Sequence, residues 1–138
     1  MKRLLHICQL VLLVAVTLWS CTSLSGVGSK LSTAYALVNE HPDSTLSMLE
    51  DIDRSALSVA ERARYALFYS IAQDKMGLDV DNDSLLRVAY SYFSRLPEDT
   101  LYGKCCYYMG LYYNTQDSTK RAIACYKEAI ASSDKLGD

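Results

Sequence analysis

From Leu31 onward, apolar side chains recur every three or four residues, with polar ones between them. That interval keeps one face of an α-helix apolar, whereas a half-buried strand would alternate every second residue. No convincing alternation occurs, so the pattern predicts an all-α fold of six helices, the first shorter than the rest. The first runs from about Leu31 to Glu40 and stops at His41-Pro42, because proline disfavours helical backbone in the residue before it. The second runs from about Asp43 to Ile52, capped by Asp43 or Ser44, with Leu46, Leu49 and Ile52 as its apolar stripe. The third spans about Val59 to Met76. Ser58 and Glu61 have the spacing of a capping box at its start, and Gly77 suits its end. The fourth spans about Ser84 to Arg95, before Leu96-Pro97. The fifth spans about Glu98 to Asn114, with Glu98 and Asp99 in the first turn, where negative charge is favourable. The sixth spans about Ser118 to Lys135, capped by Asp117 or Ser118, with Gly137 just beyond it.

Paired in order, these helices make about three antiparallel hairpins. Comparable points in the second helices, Leu49, Ala89 and Tyr126, recur roughly every 40 residues, which is a repeat. The last hairpin carries Cys106-x-x-Met109-Gly110-x-x-Tyr113 and then Ala122-x-x-x-Tyr126-x-x-Ala129. This pattern resembles the tetratricopeptide-repeat signature. Cys106 stands where a large aromatic is usual, and Asp134 where a proline often ends the repeat. The second hairpin keeps Ala63, Ala66, Ser70, Leu85, Ala89 and Tyr92, and the first keeps Ala34, Leu37, Pro42, Leu46, Leu49 and Ile52. The resemblance covers about residues 31–138 and implies an α-solenoid. In it, Gly110 and Ala122 would let two helices approach closely, while Tyr113 and Tyr126 fill the space between hairpins. The first helix of each hairpin would line an inner groove that takes a protein or peptide, without a cofactor.

The N-terminus has a different pattern. Met1-Lys2-Arg3 is basic, and Leu4 to Leu18 is apolar apart from His6, Cys8, Gln9 and Thr17. A basic start, an apolar core and a small residue before the break mark an export signal. Leu18-Trp19-Ser20-Cys21 resembles the lipobox of bacterial lipoproteins, which implies lipid attachment at Cys21 and cleavage in front of it. Residues 1–20 would then be signal peptide, 21–30 a flexible tether rich in small residues, and 31–138 the repeat domain. The alternative is an uncleaved transmembrane anchor, since about 17 apolar residues reach the short edge of what spans a bilayer. Both readings place the rest of the chain outside the cytoplasm. Thr22 replaces the Asp of the inner-membrane retention signal, so the resemblance implies a lipid-anchored protein of the outer membrane, facing the periplasm.

Charge narrows the partners. Without Lys2 and Arg3, twelve basic side chains face 16 acidic ones, all beyond Cys21. The mildly acidic balance has no basic stripe, which excludes a nucleic-acid partner. Cys105, Cys106 and Cys125 remain in the exported part. They lack the paired spacing of a zinc site, and adjacent residues on a helix diverge, so at most one bridge could form among them. Small buried hydrophobes are their ordinary role. Asp79-Val80-Asp81-Asn82-Asp83 begins like a calcium loop but has Ser84 and Tyr90 where glycine and glutamate are needed, so these acids are expected to cap the fourth helix. His41 beside Pro42 has no nucleophile pattern around it, and no phosphate loop occurs. No catalytic set, metal site or enzyme activity is therefore expected.

Eleven tyrosines crowd into this part of the chain. On the fifth helix, Lys104, Tyr107, Leu111 and Asn114 share one face. By resemblance that face lines the groove. Tyrosine suits binding, with large contact area, few rotamers and a polar tip. Tyr107 and Leu111 occupy the places where chaperone-binding relatives carry Lys and Asn, so chaperone-tail binding is not implied. Ile123, Cys125 and Ile130 have no following helix to cover them all. Either the family is longer than this chain, or the last hairpin meets another chain, a second copy included. The expected function is a membrane-anchored, non-catalytic scaffold for a protein or peptide. The alternative is the sensory or interaction part of a longer signalling or transcription-regulating protein.

Overall fold

The computed structural model describes residues 26–78 and 83–137. Among them are six helices and no strand: α1 over 26–37, α2 over Pro42–Glu50, α3 over Val59–Lys75, α4 over Ser84–Phe93, α5 over Thr100–Thr115 and α6 over Thr119–Leu136. The fold is the all-α array of helical hairpins that the apolar periodicity predicts. The signal-like segment, Cys21 and residues 79–82 lie outside the described residues. No described helix is long and apolar enough to cross a membrane.

Helix ends follow local chemistry. Ser58 and Glu61 form the expected capping box: the Glu61 amide donates to Ser58 Oγ at 3.3 Å, and the Ser58 amide donates to Glu61 Oε2 at 2.9 Å. The Ser58 donors hold the Glu61 carboxyl below its ordinary pKa. Gly77 follows α3 with φ +66°, a conformation that costs glycine little.

Other boundaries shift. Residues 26–30 belong to α1 rather than to a tether, because half-buried Val27 packs on the core one turn before Leu31. Pro42 does not lie between helices. It opens α2, where its missing N–H costs nothing, and His41 takes the cap position expected of Asp43 or Ser44. A 3-10 turn at Arg54–Ala56, absent from the periodic pattern, is fixed by Asp53 accepting from the Ser55 amide at 2.9 Å. α4 ends at Phe93, and Arg95 lies in the following turn. Glu98 and Asp99 precede α5, and the Asp99 carboxylate caps it by accepting from the Leu101 amide. Asp83 caps no amide with its side chain; its carboxylate pairs with Arg87 at 2.6 Å.

Packing is mainly between consecutive helices from α2 to α6, with α3 also touching α5. Tyr35 of α1 stacks on Phe68 of α3, with ring centroids 5.3 Å apart. The first helices of the three hairpins therefore share one layer. The core runs from Leu31, Ala34 and Val38 through the buried face of α3 to Phe93, Leu101 and Cys105. Alanines at 34, 63, 66, 72 and 89 are fully buried, which lets helix axes approach.

Candidate functional site

Three hollows follow one another along the α1, α3 and α5 layer. The first holds about 400 Å³ between α1, α5 and α6. The second, about 270 Å³, lies between α1, α3 and the start of α5. The third, about 430 Å³, lies between the end of α3, α4 and α5. Tyr35 lines the first and second, and Tyr108 lines the first and third. Each of these two tyrosines thus borders two hollows, and the three together are termed the trough. Burial, and then the nearby Asp74 carboxylate, push the Tyr108 hydroxyl up to about 12, so it stays a hydrogen-bond donor at neutral pH.

The four residues expected on the groove face divide. Lys104 and Tyr107 line the first hollow, with Lys104 Nζ 5.9 Å from the Tyr35 ring centroid and Tyr107 47 % exposed. Leu111 lines the third hollow. Asn114 is exposed near the end of α5 and lines none of the three. Tyr35, Ser132 and Asp74 also line the trough and were not singled out from sequence. Their helical periodicity reports an apolar or polar face but not which helix lies opposite.

The repeat-packing residues sit mostly at the α5–α6 seam. Cys106, Met109, Gly110 and Ala122 are buried, while Tyr113, Tyr126 and Ala129 are half-buried. A Cβ on Gly110 would lie 2.4 Å from Tyr126 Cε1, so glycine here accommodates the tyrosine ring. Arg121 reaches over the Tyr113 ring, 5.6 Å from its centroid. Gly103 marks a second close approach that the motif did not flag: a Cβ there would stand 3.2 Å from Ser132 Oγ.

A polar knot ties α4, α5 and α6 together. Tyr90 and Tyr102 donate to Glu128 Oε2 at 3.1 and 2.7 Å, and the Cys106 thiol donates to the same oxygen at 3.6 Å. Burial, followed by the Glu128 charge, raises Tyr90 to about 12; burial and the bond to Glu128 raise Tyr102 further. Burial also lifts Cys106 to about 12 and raises Cys105 and Cys125. All three thiols are free and protonated at neutral pH, which makes them poor nucleophiles. Among the described residues, no three His, Cys, Asp or Glu gather where they could hold a metal ion.

The sign of the tyrosine shifts gives a test. A raised folded-state pKa stabilises the protein fully below the unfolded value near 10, and that stabilisation is lost as pH climbs through the folded value. Absorbance at 295 nm should therefore show a late tyrosine class near pH 12, with stability falling between about pH 10 and 12. Glu128→Gln should move the Tyr90 and Tyr102 part of that class toward pH 10 and leave Tyr108 late. One step near pH 10 for every tyrosine would rule out the knot.

Comparison of the chain with known protein families, curated proteins and solved structures finds no match.

Proposed function

We propose that the protein is a non-catalytic, tetratricopeptide-like scaffold that holds an extended protein segment in its trough. The supporting observation is the set of three hollows beside the α1, α3 and α5 layer, with Tyr35 and Tyr108 each bordering two of them. Hollows of a few hundred Å³ fit individual side chains, and tyrosine rings between them suit contact with peptide backbone. The lipobox-like Leu18-Trp19-Ser20-Cys21 supports a lipid anchor at Cys21 and a place on the outer membrane, facing the periplasm. Ile123 and Ile130, 49 % and 62 % exposed on α6, favour a second contact surface, for self-association or for the further helices of a longer signalling protein.

Selection of displayed random peptides against the full chain in mild detergent tests the trough. Selected peptides should lose about ten-fold or more in affinity with Tyr35→Ala or Tyr108→Ala, the loss typical of a central aromatic contact. Lys127→Ala, on the exposed side of α6, should leave affinity unchanged. Peptides indifferent to both tyrosines would refute the trough as the binding site.

A further inference from the structure

We infer that the hollow between α1, α5 and α6 is a carboxylate subsite, engaging an acidic group of the segment held in the trough; the inference rests on that reading of the trough. Two groups there lack the partners their chemistry calls for. Lys104 is half-buried, and among the described residues no carboxylate lies within ion-pair distance of it. Its ammonium faces the Tyr35 ring, which attracts a cation without neutralising it. Ser132 is 4 % exposed, and its hydroxyl has no hydrogen-bond partner among the described residues. A buried hydroxyl left unpaired is unfavourable, so a ligand atom that accepts from it gains. Both residues line the same hollow, and among the described residues no acidic side chain lines it.

A cation and an unpaired hydroxyl donor that line one hollow without a counter-charge favour an anion. The helix ends do not make this selection. The start of α5 lies beside the end of α6, so their opposed terminal charges offset. The preference therefore comes from Lys104, and Ser132 adds direction. Tyr35 and Tyr107 supply flat apolar walls that suit an organic carboxylate better than a hydrated inorganic ion. Gly103 lets α5 approach α6 at Ser132, since a Cβ there would crowd the hydroxyl.

The carboxylate could come from a chain terminus or from an Asp or Glu side chain. Three probes separate these sources: N-acetyl-leucine, N-acetyl-glutamic acid α-amide and neutral N-acetyl-leucinamide. Each is titrated into the full chain in detergent micelles, with the Gly103 and Ser132 amide signals followed by NMR. Shifts with at least one acid and none with the neutral amide are expected, and the acid that binds more tightly identifies the source. Lys104→Met should weaken acid binding at least ten-fold, Lys104→Arg should retain most of it, and Ser132→Ala should weaken it several-fold. Equal binding of the neutral amide, or indifference to Lys104→Met, would overturn the subsite. Peptides that depend on Tyr35 and Tyr108 but not on Lys104 would refute the subsite and leave the trough standing. Acid binding with no peptide selected would retain the subsite's chemistry and refute the trough.

Discussion

Replacing Phe93 with alanine should cost about 3–5 kcal/mol, the usual range for truncating a buried phenylalanine. Phe93 is fully buried at the end of α4 and meets the Tyr92 ring edge-on at 5.1 Å. It belongs to the same core as Ala89, Leu101 and Cys105, so its removal opens a cavity in that core. Helices approach closely there and cannot collapse freely into the space. A domain of this size has roughly 5–15 kcal/mol in total, so the variant should melt many degrees lower or fail to fold. Thermal and urea melts followed by circular dichroism measure the effect. A loss below about 1 kcal/mol would mean that Phe93 is not in a packed core.

Gly110→Leu should be the next most damaging change, at or above the ~1–3 kcal/mol usual for overpacking. A Cβ at this position would sit 2.4 and 2.6 Å from Tyr126 Cε1 and Cδ1. Tyr107, 6.0 Å away centroid to centroid, limits the ring's retreat on one side. Propensity opposes the clash: alanine in place of a mid-helix glycine gains roughly 1 kcal/mol. Gly110→Ala therefore shows which effect wins. Sterics should prevail in the native background, whereas in a Tyr126→Ala background the same change should become neutral or stabilising. This sign reversal is a pairwise coupling that a double-mutant cycle measures. An unchanged melt for Gly110→Leu would remove the α5–α6 seam and the repeat resemblance with it.

These two residues differ in how legible they are. Gly110 was visible from its place in Met109-Gly110-x-x-Tyr113, although the motif did not say that the Tyr126 ring occupies the space. Phe93 read only as one apolar position on the fourth helix. Its full burial depends on α3 and α5, the helices that pack against α4. The groove residues follow the same rule. Lys104, Tyr107 and Leu111 were legible as one helix face, and each lines a hollow. Asn114 shares that periodicity but extends past the trough. Tyr35 and Ser132 carried no local signal, because an isolated tyrosine or serine on a helix has many ordinary roles.

The sequence by itself determined the helices, their approximate ends and their order. Those properties depend on contacts three or four residues apart, on caps such as Ser58 with Glu61, and on the freedom of Gly77 to take positive φ. Only the tertiary structure decided that Tyr35, Lys104 and Ser132 surround one hollow, and that Tyr90, Tyr102 and Cys106 share one oxygen of Glu128. Those groupings join residues from different helices. They are set by how closely small residues such as Gly103 and Ala89 allow the axes to approach, and no local pattern along the chain encodes that distance.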